Sequence, residues 1–132
     1  MSTSSPPPTA TEARGRRHAA ELRGRDAEAL AAAALQRAGW RILGRRVRTP
    51  LGELDLIAEQ GGLVAVIEVK RRTTAAEAAF SVTERQRRRI VAAAEAWLAS
   101  HPDAAPEGVR FDVLLVDATG RVRRIADAFR AD

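Results

Sequence analysis

Apolar and polar positions along this 132-residue chain alternate with two periods, one helical and one extended. Ala27, Leu30, Ala31, Ala34, Leu35 and Ala38 recur at helical spacing and form one apolar stripe. They predict a helix from near His18 to Ala38, ended by Gly39 as its C-terminal cap. Small alanines on the stripe let such a helix lie close against a sheet. Trp40 to Arg48 reads as a first strand, and Thr49-Pro50-Leu51-Gly52 as a turn. Glu53 to Ala58 and Leu63 to Lys70 read as the second and third strands, joined by the hairpin loop Glu59-Gln60-Gly61-Gly62. Arg71 to Phe80 is a polar loop. Ser81-Val82-Thr83-Glu84 matches a capping box that opens a second helix. Ile90, Ala93, Ala94, Trp97 and Leu98 mark its buried face, which Gln86 extends, and His101-Pro102 stops it near Ser100. Val109 to Val116 is a fourth strand, Arg121 to Ile125 a fifth, and Ala126 onward a short last helix.

The order α-β-β-β-α-β-β predicts an α/β fold, a central mixed sheet flanked by helices. The third and fourth strands, joined through a helix, should be parallel with a right-handed crossover. The second helix then begins near the C-terminal end of the third strand, which brings Gln86 near Glu68 and Lys70. If Ala58 faces Leu63 across the hairpin, Glu53 stands opposite Glu68 and Asp55 lies diagonal to it. Alternation along the strands puts Glu53, Asp55, Glu68 and Lys70 on one face. Leu54, Leu56, Ile67 and Val69 then point into the core from the other. A slip of one residue would undo this arrangement.

Composition narrows the class. Without cysteine there is no disulfide framework and no thiolate metal site. No apolar run is long enough to span a bilayer, and no secretory signal opens the chain, so a cytoplasmic protein is expected. Residues 1–13 are Ser-, Thr- and Pro-rich and read as a disordered tail, leaving 14–132 as one domain. The formal charge of +5 is uneven. Ten arginines between Arg14 and Arg48 face only Glu21, Asp26 and Glu28, and Arg85, Arg87, Arg88 and Arg89 form a second block. Such density suits a polyanion whose phosphates release counterions on binding. A solvated basic surface is the plainer explanation of the same residues.

Among twenty-two basic residues only Lys70 is lysine. A compact ammonium differs from a guanidinium fork in shape and in its response to burial, so a lone lysine marks a place where arginine would not serve. Asp55 and Glu68 are hard oxygen donors on adjacent strands, the ligand type that Mg²⁺ takes together with water and phosphate. Cross-strand pairing for solubility is the alternative for any one of these residues. Three acids and the sole lysine on one face, flanked by arginines, favour chemistry.

Gly52-Glu53-Leu54-Asp55-Leu56-Ile57 followed by Ile67-Glu68-Val69-Lys70 resembles the PD-(D/E)XK nuclease superfamily. The closer resemblance is to the YraN-like family of predicted endonucleases, which are Holliday-junction-resolvase-like. It covers about Gly24 to Phe129 and takes in Gly24-x-x-x-Glu28, Ser81-Val82-Thr83 and Arg110-Phe111-Asp112. It implies a restriction-endonuclease-like core and a Mg²⁺- or Mn²⁺-dependent endonuclease acting on DNA, branched or otherwise structured. Asp55, Glu68 and the Val69 carbonyl would hold the metal, and Lys70 would be the catalytic lysine. Glu28 would be an extra acid on the first helix, or else a surface charge paired with Arg25. Glu53 would support the site or contact a second metal. Asp112 matches the family's pattern but more simply pairs with Arg110 or another nearby arginine. Arg45, Arg46, Arg48, Arg71, Arg72, Arg85, Gln86 and Arg87 are the candidates for contact with nucleic acid. The chain departs from the family pattern at Gln86, where lysine is usual, and at Arg46, where asparagine is frequent. A symmetric homodimer would suit the paired cuts of junction resolution. A nucleic-acid-binding module that keeps the fold without turnover is the alternative function.

Overall fold

The computed structural model describes residues 9–71 and 82–131, and of residues 12–25 the backbone alone. Helix α1 spans Ala10–Arg37, followed by strands β1 (Arg41–Thr49), β2 (Gly52–Gln60) and β3 (Leu63–Arg71). Helix α2 (Glu84–Ala99) leads to β4 (Val109–Val116) and β5 (Val122–Phe129). The element order is the expected one through β5. The five strands form one sheet in the order β1-β2-β3-β4-β5, antiparallel except for the parallel β3–β4 pair that α2 connects. This is the α/β arrangement of a restriction-endonuclease-like core. Among the described residues, no helix is long and apolar enough to cross a membrane.

The sheet separates two apolar layers. On one face Ala27, Ala31, Ala32 and Leu35 of α1 pack on Leu56, Ile67 and Leu114. On the other, Ile90, Ala93, Ala94 and Trp97 of α2 pack on Leu54, Ile57, Val66 and Phe111. Leu56, Ile57, Ile67 and Leu114 are at most 1% exposed, and burying each contributes roughly 1.5–3 kcal/mol. At Gly52, with φ 144°, a Cβ would come within 3.2 Å of the Arg89 stem, so the missing side chain admits α2 at the start of β2.

Three boundaries and one helix face differ from expectation. Helix α1 begins at Ala10, ahead of His18, so Ala10–Ala13 are helical and not tail. The buried stripe of α1 is also rotated: Ala32 is inside, while Leu30 and Ala38 are exposed. Residues 29–34 are alanine but for Leu30, so spacing alone could not choose the face. The N-cap of α2 is Thr83, not Ser81, which lies outside the described residues. The segment from Ala126 extends β5 and forms no helix. Asp127 donates its N–H to the Asp112 carboxylate at 2.8 Å, and Phe129 stacks on Phe111 at 5.1 Å. Those contacts outweigh the helical propensity of Ala126 and Ala128.

Candidate active site

The site begins with the β2–β3 turn. Gly61 and Gly62 both have positive φ, 59° and 84°, which suits a two-residue hairpin of the primed type. The connection is therefore shorter than the four-residue loop expected from the sequence, and Gln60, not Ala58, pairs with Leu63. The register moves by two residues. An even shift leaves every side chain on its face but changes its neighbour. One step beyond the last ladder pair, Leu56–Ile67, Asp55 comes opposite Glu68, the place expected for Glu53.

The β2–β3 ladder ends there because β2 turns at Asp55. Leu56 packs in the α1 layer with Ile67 and Val69, whereas Leu54, expected beside them, packs in the α2 layer. Strict alternation would keep Leu54 and Leu56 together. Where the backbones part, the Asp55 carboxylate accepts the Val69 N–H at 2.9 Å in place of a β2 carbonyl. A strand residue directs its N–H and C=O to the same neighbour, so the Val69 carbonyl leaves on the Asp55 side too.

Glu68 lies against Asp55 within hydrogen-bonding contact, and its Oε1 is 3.5 Å from Lys70 Nζ. The Glu68 and Lys70 side chains are each 14% exposed. Burial, and after it the charge of Asp55, pushes the Glu68 carboxyl up to about 7, while Lys70 pulls the other way. Two carboxylates in contact need a proton or a cation between them. Among the described residues, no three acidic, histidine or cysteine side chains form a metal cage. The donors present are two carboxylates and a backbone carbonyl, a set that fits Mg²⁺ or Mn²⁺ with water and phosphate completing the shell.

The raised Glu68 carboxyl gives a stability prediction for metal-free protein. Below the ordinary carboxylate value of 4.5, Glu68 is protonated both folded and unfolded. Between 4.5 and about 7 the unfolded chain has released that proton and the folded chain retains it. The folded state then binds more protons, so stability falls as pH rises across the window. Thermal melts in chelator should show Tm falling from pH 5 to pH 8, and Glu68→Gln should flatten the fall. An equal slope in the variant would rule Glu68 out as the source.

The other candidates sort by partner. Glu28 is 8% exposed, on the buried side of α1, and pairs with Arg46 Nε at 3.2 Å. Its expected partner, the Arg25 side chain, lies outside the described residues. Burial raises the Glu28 carboxyl, Arg46 opposes this, and the Asp55 charge adds to it, so the α1 acid feels the site electrostatically. Glu53 pairs across β1–β2 with Arg48, 3.8 Å away, and its side chain is 44% exposed. Gln86 is half-buried one turn before Ile90, and its side chain is used as a cap. Its Oε1 accepts the Thr83 N–H at 3.0 Å and Thr83 Oγ1 accepts the Gln86 N–H at 3.1 Å, which closes the N-terminus of α2. Asp112 takes Arg110 in a two-point ion pair, as expected.

Arg45, Arg48, Arg71 and Arg85 are exposed, and Arg87 sits over the Phe129 ring at 5.7 Å. Arg72 lies outside the described residues. The sequence marks Arg46 as a candidate but gives no sign of its bond to Glu28, eighteen positions away. The one local signal is backbone geometry: Arg46 has φ 49°, a left-handed conformation that asparagine tolerates better than arginine. That accounts for asparagine as the residue the resemblance leads one to expect here.

The layered sheet and the opening between β2 and β3 make this an α/β domain of the restriction-endonuclease-like class. The chain belongs to the uncharacterised protein family UPF0102, whose model matches residues 27–116, from α1 through β4. It is 57% identical over 109 residues to a UPF0102 protein of Granulibacter bethesdensis, covering 83% of this chain and 69% of that protein. It is 50% identical over 127 residues to one from Azorhizobium caulinodans, covering 96% and 97%. A UPF0102 protein of Rhodopseudomonas palustris strain BisA53 is 49% identical over 129 residues, covering 98% and 96%.

Proposed function

We propose that this protein is a Mg²⁺- or Mn²⁺-dependent endonuclease that hydrolyses phosphodiester bonds in DNA, with branched or otherwise structured DNA as its substrate. The observation that carries this reading is the parting of β2 and β3 at Asp55, which gathers Asp55, Glu68, the Val69 carbonyl edge and Lys70 around one opening. Asp55, Glu68 and the Val69 carbonyl would hold the metal, which when bound polarises a phosphoryl oxygen and acidifies a water. Lys70 donates hydrogen bonds to the attacking water or to the charge that builds on the phosphate. Glu68, bonded to Lys70, keeps that ammonium at the opening. The net charge of +5 and the exposed arginines of β1 and α2 supply the attraction for a phosphate backbone. A symmetric homodimer would present two such openings for paired cuts in a branched substrate.

The test is incubation with end-labelled four-way-junction, flapped and linear duplex DNA in Mg²⁺, in Mn²⁺ and in chelator. Metal-dependent strand scission, with the branched forms cut faster, supports the proposal. Salt-sensitive DNA binding with no scission in either metal would replace it with a non-catalytic nucleic-acid-binding module.

A further inference from the structure

We infer that Arg46 is a phosphate clamp beside the Asp55–Glu68 pair, and that Glu28 is the positioning residue that holds it rather than a metal ligand. The inference rests on the nucleic-acid reading above and names which side chain meets the substrate backbone. Arg45 and Val47 pair with Leu56 and Leu54, so Arg46 between them stands across β1–β2 from Asp55. At φ 49° it occupies a conformation that costs a side-chain-bearing residue free energy and persists only when its surroundings hold it. What holds it is Glu28: Arg46 Nε lies 3.3 Å from Oε1 and 3.2 Å from Oε2.

Both contacts use the same nitrogen. Among the described residues no hydrogen bond engages the two terminal nitrogens of the guanidinium, and the Arg46 side chain is 49% exposed while that of Glu28 is only 11% exposed. The carboxylate is thus on the protein side of the pair and the open fork on the solvent side. Two parallel N–H groups on a planar cation match two phosphate oxygens. A phosphodiester entering between Asp55 and Glu68 brings negative charge toward two acids, and Arg46 is the cation facing Asp55 across the strand pair. Glu28 already has its charge offset by this guanidinium, which weakens it as a ligand for a cation.

The experiment measures two affinities: fluorescence anisotropy of labelled duplex and four-way-junction DNA in Ca²⁺ over a salt series, and calorimetric titration of Mn²⁺ alone. Arg46→Asn suits the left-handed backbone, which offsets part of the cost of leaving Glu28 unpaired, and should fold. It should lower DNA affinity about tenfold and reduce the slope of log affinity against log salt by about 0.9, one phosphate contact. Glu28→Gln should weaken DNA binding several-fold, with the double variant no worse than Arg46→Asn, and leave Mn²⁺ affinity within about twofold of wild type. Arg46→Lys should restore the salt slope but not the coupling to Glu28. A large loss of Mn²⁺ affinity in Glu28→Gln, additive DNA losses, or an Arg46→Asn protein that binds DNA like wild type would each overturn the inference alone. Failure of every version, wild type included, to bind DNA would overturn the nucleic-acid reading with it.

Discussion

Lys70→Ala and Glu68→Gln should each abolish metal-dependent cleavage, lowering the rate at least about a thousandfold, for separable reasons. A single well-placed donor to developing charge is worth roughly 10²–10³ in rate, and Lys70 also neutralises Glu68 at 3.5 Å in a site where both side chains are 14% exposed. Lys70→Ala should still bind Mn²⁺, whereas Glu68→Gln loses one of two carboxylate donors and should bind it weakly. Lys70→Arg is the sharper variant. The chain uses arginine at every other basic position, so charge alone would already have allowed it here. A guanidinium is wider and offers its hydrogens in a fixed plane. Lys70→Arg should therefore fold and bind DNA, yet recover little rate. Cleavage by Lys70→Ala or Glu68→Gln at near wild-type rate, with purity established by a matched mock preparation, would remove this centre from the mechanism.

The site was legible in the sequence to the extent that it depends on parity. Asp55, Glu68 and Lys70 come together although the hairpin loop is two residues long rather than four, because the register moves by two residues and side-chain direction repeats every two. Which acid meets Glu68 depends on register, and register depends on Gly61 and Gly62 taking positive φ together. A Gly-Gly pair permits that turn, but the flanking Glu59-Gln60 could equally be read as loop. The turn of β2 at Asp55 was out of reach, since Leu54 and Leu56 carry the same side chain and enter different layers.

The helices were legible in outline and ambiguous in rotation. Alanine in α1 gives little contrast between faces, so the side that is buried is settled by tertiary packing of Ala27, Ala31, Ala32 and Leu35 on Leu56, Ile67 and Leu114, which leaves no local mark. Thr83 and Ser81 are both good N-caps, and a glutamate three after Ser81 favoured the wrong one. The pairing that forms uses Gln86, three after Thr83, as the reciprocal partner. That bond commits the Gln86 carbonyl oxygen to the helix end.

Asp112→Ala should cost about 3–5 kcal/mol of stability and leave the chemistry of each folded molecule intact. Asp112 is 0% exposed and satisfies three donors: Arg110 Nε and Nη2, both at 2.8 Å, and the Asp127 N–H at 2.8 Å. Those bonds hold the bend at Asp127, φ 52°, where the β4–β5 register shifts between Phe111 and Val113. They also hold Arg110 over the Trp40 ring at 5.4 Å, where Arg124 lies at 5.7 Å. Removing the carboxylate strands a cation and a backbone donor at the edge of the core, and breaking such a pair from one side is costlier than never having built it. The Arg110 side chain is 24% exposed, so water recovers part of the loss and the lower end of the range is expected. Tm should fall by roughly 10 °C or more, with Asp112→Asn in between because one acceptor survives. Mn²⁺ affinity, measured well below the lowered Tm, should match wild type, since Asp112 has no contact with Asp55 or Glu68. A variant that melts within about 2 °C of wild type would show that the Arg110–Asp112–Asp127 bonds do not hold the β5 edge. Loss of Mn²⁺ binding in folded Asp112→Ala would instead make Asp112 part of the site, against the full satisfaction of its carboxylate by Arg110 and Asp127.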